Sequence, residues 1–215
     1  MKIDHRTVGV FEENCYLLAD EQAGRGVLID PGDEGDQLIA MVRAANLTLD
    51  AIWLTHAHID HIGAIAAVRR VYDVPVLLHP RDLPYYRELS ARAAQMYGID
   101  FEQPEGPDAE LADGQELQCG GLRFTVMHVP GHAPGLVAFN GHGVSFGGDL
   151  LFAGSIGRTD LPLGNPVDMN ASLERYVSEL PDQTVVYPGH GPRTTLERER
   201  RTNPFLTGAV RPLRR

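Results

Sequence analysis

Cysteine is nearly missing from this chain: among 215 residues only Cys15 and Cys119 carry a thiol. Two are too few for a disulfide framework, and both read as buried small side chains. Lysine is scarcer still, with Lys2 alone against 18 arginines. That bias is assigned to genome composition or a hot environment rather than to function. Behind Met1 to Arg6 there is no uninterrupted apolar segment, so neither a secretory signal nor a membrane span is expected, and the expected location is the cytoplasm. Excess positive charge is missing too. A net charge of −10 disfavours sequence-independent nucleic-acid binding, which draws on a basic patch. No low-complexity linker interrupts the chain, so residues 1–215 are expected to form one domain with a short C-terminal helix and tail at about 194–215.

What is present is concentrated in one stretch. Asp50 to Leu54 reads as a buried strand ending at a loop edge, and Thr55-His56-Ala57-His58-Ile59-Asp60-His61-Ile62-Gly63 follows it. In extended backbone alternate side chains point the same way, so His56 and His58 can reach one metal ion together. Asp60 and His61 lie where the chain turns into the helical pattern Ile62 to Val71, and they can serve a second ion. Imidazole and carboxylate without thiolate favour zinc, iron or manganese over a closed structural zinc site.

In chain order, residues 2–10, 14–20 and 25–30 read as antiparallel strands, with Glu12-Glu13-Asn14 as a turn. Asp30 closes the third strand, where it either orients the metal loop or caps local backbone. Asp33 reads as the N-cap of a helix carrying Leu38, Ile39, Met41 and Val42. A short strand at Val74 to Leu78 makes this part α/β. Residues 81–98 read as one or two helices whose Tyr85, Tyr86 and Tyr97 either wall a substrate pocket or pack in the core. Residues 99–110 are expected to be irregular. Strands follow at 111–117, 122–129, 135–140 and 144–148, then a helix at 168–180 and a strand at 184–187. Three strand ends carry further ligand candidates: His132 after Pro130-Gly131, Asp149 after Gly147-Gly148, and His190 after Pro188-Gly189. Thr194-Thr195-Leu196-Glu197 fits a capping box opening a last helix. Two sheets packed face to face with helices outside are the expected architecture.

His56-x-His58-x-Asp60-His61 with His132, Asp149 and His190 resembles the ligand set of the metallo-β-lactamase-fold hydrolases over nearly the whole chain. The segments Asn14-Cys15-Tyr16, Leu28 to Gly32, Gly148 to Phe152, Gly157-Arg158-Thr159-Asp160 and Tyr187 to Gly191 are similar to the glyoxalase II-like branch. The resemblance implies a four-layer αββα sandwich with a binuclear centre on one edge. His56, His58 and His132 would hold the first ion, Asp60, His61 and His190 the second, and Asp149 would bridge them. Zinc is the first expectation for both ions, with iron and manganese the others. Asp60 and Asp149 are the acidic groups expected to take part in catalysis, around a hydroxide bridging the ions.

That implied site suits a thioester best, because a thiolate of pKa about 8.5 departs without a proton donor whereas an amide nitrogen needs one. The expected enzyme is a hydroxyacyl-thiol hydrolase of the S-lactoylglutathione type, with a small molecule as its partner and neither nucleic acid nor membrane. The branch's glutathione-binding residues sit in a C-terminal helical domain that has no counterpart after His190, so they are not carried over. Arg158 either pairs with a substrate carboxylate or makes a loop ion pair with Asp160. The alternatives are an iron-dependent persulfide dioxygenase with ligands His56, His132 and Asp149, a lactonase, and a metal-binding scaffold without chemistry. Persulfide dioxygenases of this fold usually carry Pro-Ala-His-Asp-Tyr where this chain has Pro188-Gly189-His190-Gly191, which favours the hydrolase.

Overall fold

Central strands buried on both faces, such as Glu13–Asp20 and Val144–Gly148, make two sheets covered on each side. In the computed structural model, which describes residues 1–210, strands β1 (Lys2–Val8), β2 (Glu13–Asp20), β3 (Arg25–Ile29), β4 (Thr48–Trp53), β5 (Val76–Leu78) and β6 (Ala109–Glu110) form the first sheet in chain order. The first three pair antiparallel, and β3 to β6 pair parallel. The second sheet contains β7 (Glu116–Cys119), β8 (Leu122–His128), β9 (Val137–Gly141), β10 (Val144–Gly148), β13 (Val185–Pro188) and β14 (Thr194–Thr195), in the order β14-β13-β10-β9-β8-β7. Here only β10 and β13 pair parallel. A small hairpin, β11 (Leu151–Phe152) with β12 (Ser155–Ile156), stands beside the two sheets.

Neighbouring residues along a strand point to opposite faces, and both faces of each sheet are covered. Tyr16, Leu18, Val27, Ile29 and Trp53 of the first sheet meet Phe124, Val126, Val137, Phe139 and Phe146 of the second in a shared core. Their neighbours Leu17, Leu28 and Ile52 face the other way, against helices α1 (Gly35–Ala45), α2 (Ile59–Ile62), α3 (Ile65–Arg69), α4 (Leu83–Arg87) and α5 (Leu89–Tyr97). Met127, Ala138 and Val186 likewise turn outward, onto α6 (Pro166–Glu179) and α7 (Leu196–Thr202). The result is the expected αββα sandwich.

Several boundaries differ from expectation for local reasons. Glu13 and Asn14 belong to β2, not to a turn, because the backbone of Asn14 bonds to Gly189 across the sheets. Asp33 does not cap α1; Glu34 does, in a left-handed conformation and without a side-chain bond, while Asp33 accepts from the Glu34 N–H. The helical pattern from Ile62 breaks into α2 and α3. The strand expected from Leu111 begins only at Glu116, since residues 112–115 form a turn closed by Gln115 N–H to the Ala112 carbonyl. Helix α6 starts two residues early: Pro166 takes its first position and Asn165 caps it through Oδ1, which accepts from Val167 and Asp168. In the last helix the cap is Thr195, bonded to Arg198 N–H, rather than the box from Thr194 to Glu197. Of the C-terminal tail, residues 211–215 lie outside the described residues.

Candidate metal centre

The candidate ligands gather at one edge of the sandwich, Asp60 and His61 on α2 and the others just after strands. Strands β3, β4, β10 and β13 have their carboxyl ends there, as does β8, which is two antiparallel steps from β10. Asp30 follows β3, His56 and His58 follow β4, His132 follows β8, Asp149 follows β10 and His190 follows β13. Backbone must pass close to these side chains, and glycine permits it. A side chain at Gly189 would run into Asp149 Oδ1, and one at Gly32 would run into the Asp60 carbonyl.

The side chains converge in two trios that share no residue, and Asp30 groups with His56 and His61 in a third set. Ligand-capable atoms of His56, His58 and His132 lie within 4.8 Å of one another, and so do those of Asp60, His61 and His190. Asp149 stands between the trios, with Oδ2 3.3 Å from His132 Nε2 and 3.5 Å from His190 Nε2, and Oδ1 3.5 Å from His61 Nε2. Asp60 Oδ2 is 3.2 Å from His190 Nε2.

At four of the five rings the nitrogen facing away from the centre is held by a fixed acceptor, which sets the tautomer; His58 Nε2 is buried without a partner. His132 Nδ1–H donates to the Arg158 carbonyl at 2.8 Å and His190 Nδ1–H to the Phe11 carbonyl at 3.0 Å. His61 Nδ1 lies 3.1 Å from Asp30 Oδ2. Asp30 also takes the Thr55 N–H and hydroxyl, so the Thr55 oxygen is left to accept from His56 Nδ1–H at 3.0 Å. Asp30 thus orients the metal loop, holding a φ of 51° to do so. Turned inward, His56 Nε2, His61 Nε2 and Asp149 Oδ1 are buried without a hydrogen-bond partner, and His58 Nδ1 faces His132 Nε2 at 2.7 Å. Buried lone pairs without donors are what divalent cations satisfy, so the residues fit metal ions.

The electrostatics agree. Burial, and then the neighbouring imidazoles, hold His56 and His58 well below the usual histidine range. Burial also lowers His132, outweighing Asp149. Burial works against a charged His61 too, but Asp60, Asp149 and Asp30 overcome it and raise it to about 9. The carboxyl of Asp60 is held far below its ordinary value despite burial, by His61 and His190. Neutral His56, His58 and His132 beside concentrated carboxylates make a cation-binding field, and the same carboxylates raise His61 and His190, whose protons a cation would displace.

The centre opens into a cavity of about 420 Å³ lined by His58 and His132 of the first trio, Asp60 and His190 of the second, Asp149, and Phe11, Ile59, Tyr85, Met96, Tyr97, Phe152 and Leu161 among others. Tyr85 lines it, its ring 5.1 Å from that of His58, and its hydroxyl donates to the Pro162 carbonyl. Tyr86 does not. It is fully buried in the core under the first sheet and donates to the Glu105 carbonyl, because it projects from α4 one residue away from the cavity face. Arg158 lines the mouth, exposed, and is held by both oxygens of Asp160 at 2.7 and 2.8 Å.

Three residues around the centre escaped the sequence reading. Glu13, fully buried, lies 3.8 Å from His61 Nδ1; burial and then Asp30, Asp60 and Asp149 push its carboxyl well above the usual range. Its adjacency to the Asn14 motif was the available signal. Asp82 accepts from Ala57 N–H at 2.9 Å and Gly135 N–H at 2.5 Å, tying the loop of His56 and His58 to the loop of His132. Nothing in its sequence context marks that role. Arg92 lines the cavity from α5, and its spacing of four from Met96 was the signal.

A protein-family model described as the Metallo-beta-lactamase superfamily matches residues 8–190. Among curated proteins, the chain is 34% identical to Hydroxyacylglutathione hydrolase GloC of Haemophilus influenzae, over 96% of this chain and 98% of that protein. Among solved structures, TTHA1623 in a di-iron-bound form is 47% identical with a TM-score of 0.87, covering 94% of this chain and all of that one. ETHE1 from Myxococcus xanthus is 30% identical with a TM-score of 0.81, over 97% of this chain and 85% of that one. With the fold, the trios and these matches in agreement, the chain belongs to the metallo-beta-lactamase superfamily and is a metallo-hydrolase by family.

Proposed function

We propose that the chain is a two-metal thioester hydrolase, cleaving a hydroxyacyl thioester of the S-lactoylglutathione type into a hydroxy acid and a free thiol. The observation that carries the reading is the composition of the cavity wall: every carboxylic acid and imidazole lining it, among the described residues, belongs to the two trios or is Asp149. With those groups committed to cations, none is left to protonate a leaving group. A thiolate, with a pKa of about 8.5, needs no proton, whereas an amide nitrogen does.

His56, His58 and His132 would hold one ion, Asp60, His61 and His190 the other, and Asp149 both. When bound, the ions supply a nucleophilic water at neutral pH and positive charge where the oxyanion forms. The chain's own part is to fix that constellation. Asp30, Thr55 and the carbonyls of Phe11 and Arg158 keep the imidazole lone pairs turned inward. Phe152, Ile156 and Leu161 give the cavity an apolar side that limits competing water. Zinc suits the nitrogen and oxygen donors, and the di-iron form of TTHA1623 makes iron the first metal to compare with it. The GloC relative supports glutathione as the thiol. The reading takes a small molecule as partner, with neither nucleic acid nor membrane, and a cytoplasmic location.

The test is free-thiol release from S-lactoylglutathione by protein loaded with zinc or with iron, beside oxygen consumption on glutathione persulfide. Thiol release without oxygen uptake is the expected result. Oxygen uptake on the persulfide by the iron form, with no thiol release from the thioester, would replace the reading with a persulfide dioxygenase.

A further inference from the structure

Helix α5 has two distinct faces. Leu89 and Ala93, four apart, are buried against the first sheet, while Arg92 and Met96, also four apart, line the cavity. The Arg92 guanidinium lies over the Tyr85 ring, 4.1 Å from its centroid, and the edge of that ring meets His58. Its side chain is only 22% exposed. The nearest carboxylate, that of Glu88, is 4.0 Å away on a side chain that is itself 63% exposed. The cavity's other arginine is placed very differently. Arg158 is 62% exposed and both arms of its fork are taken by Asp160.

A guanidinium keeps its charge in any environment and presents a planar fork of donors that fits a carboxylate. Stacked on an aromatic ring and largely withdrawn from water, it binds an anion more strongly than an exposed arginine already committed to an acid. The rest of the wall there is apolar, with Phe11 packed edge-on against Tyr97 at 5.0 Å beside Met96. An anion entering the cavity therefore meets an oriented guanidinium with no carboxylate at hydrogen-bond distance, only the exposed Glu88 at 4.0 Å.

We infer that Arg92, stacked on Tyr85, is the residue that binds the substrate's carboxylate in the cavity, and that Arg158 is not. This rests on the thioesterase reading for its substrate class, a thioester with a carboxylate some distance from the reacting carbonyl. The carboxylate can belong to the thiol, as in glutathione, or to the acyl group, as in a dicarboxylic half-thioester. Tyr85 then acts as a positioning residue, its ring supporting the guanidinium.

The experiment compares Arg92→Gln, Arg92→Lys and Arg158→Gln with the unaltered holoenzyme on three thioesters. They are S-lactoylglutathione, the neutral S-lactoyl-N-acetylcysteamine and the acyl-charged S-succinyl-N-acetylcysteamine. Arg92→Gln is expected to raise KM about ten- to hundredfold for an anionic substrate, the range for losing a hydrogen bond between charged groups. The neutral thioester's KM and every kcat should stay within about twofold, Arg92→Lys should restore part of the loss, and Arg158→Gln should change KM little. Which anionic thioester responds identifies the end that Arg92 holds. An equal effect on neutral and anionic substrates, or a larger loss from Arg158→Gln, overturns the assignment. Equilibrium binding of glutathione and of succinate to the metal-loaded protein gives a readout without turnover. Weaker binding of either by Arg92→Gln upholds the anion site even if no thioester is cleaved; no binding of either, or binding unchanged in that variant, rejects it.

Discussion

A histidine presents a lone pair inward only while its other nitrogen keeps a proton, and at four rings that condition is met by a named acceptor. Thr55 serves His56, Asp30 faces His61, and the Arg158 and Phe11 carbonyls serve His132 and His190. Asp30 and Thr55 are the acceptors that substitution can remove. Asp30→Ala is expected to weaken metal binding about ten- to hundredfold, as measured by competition with a chromogenic chelator; unchanged affinity would show that His61 needs no such support. Asp149→Ala removes the group between the trios and should lower both metal content and turnover by at least about a hundredfold. Retention of two ions at full activity would show the bridging assignment to be wrong. Away from the centre, His79 stacks on His128 at 4.1 Å, and burial, then His128, lowers its pKa to about 4. Its unfolded value is about 6.5, so its contribution to stability is complete above pH 6.5 and is lost as pH falls from there towards 4. An NMR titration of the His79 ring should give a midpoint near 4, and a midpoint near 6.5 would show that the ring is not buried neutral. These residue roles were partly legible. His56-x-His58-x-Asp60-His61 can be read from alternation alone, because two-residue spacing in extended chain fixes which side chains share a side. Asp82 could not, because its role depends on what distant segments bring beside it, while Glu13 and Arg92 carry only the weak signals of adjacency to Asn14 and spacing from Met96.

At the scale of elements, one buried aspartate joins the two loops that supply the first trio. Asp82 ends a single turn of 3-10 helix at Pro80–Asp82 and accepts the backbone N–H groups of Ala57 and Gly135. Asp82→Ala leaves two buried donors unpaired, and Asp82→Asn turns an amide N–H₂ toward one of them. Both are expected to destabilise the fold by about 2–4 kcal/mol in urea denaturation, with losses within 0.5 kcal/mol contradicting the clamp. A similar joint fixes α7. The buried Glu199 accepts from Thr194 Oγ1, Gly154 N–H and Asn203 Nδ2, tying that helix to the hairpin of β11 and β12. The sequence marked most elements but misplaced several ends. Asp33 and the box from Thr194 to Glu197 are plausible caps by residue type. In the structure Glu34 and Thr195 take those places, since the entry of the chain into each helix is set by packing against the sheets. Helix α6 shows the converse: Asn165-Pro166 is a strong local start signal two residues ahead of the apolar periodicity.

At the scale of the molecule, the ligands lie far apart in sequence and at one edge in space because each sheet turns the relevant carboxyl ends the same way. That much was legible from Pro-Gly and Gly-Gly turns before His132, Asp149 and His190, each at the end of an apolar run. The cavity's shape was not, because α4 and α5 reach it by packing over the first sheet rather than by any local pattern; Tyr85 and Tyr86 are adjacent in sequence, yet only Tyr85 reaches it. Since the candidate donors come from both sheets, ions held by them would staple the halves of the sandwich together. Chelation should therefore lower the melting temperature by about 10 °C, a loss of the order expected from two ligands at roughly a hundred times their dissociation constants. A shift under 2 °C would show that the ions do not couple the sheets.

The most direct test of the two-ion thioesterase is a metal titration of chelator-stripped protein, following bound metal and free-thiol release from S-lactoylglutathione in the same samples. Thiol release is expected to rise with metal and level off at two ions per chain. Full activity at one ion, or two bound ions with no thiol released, would contradict it.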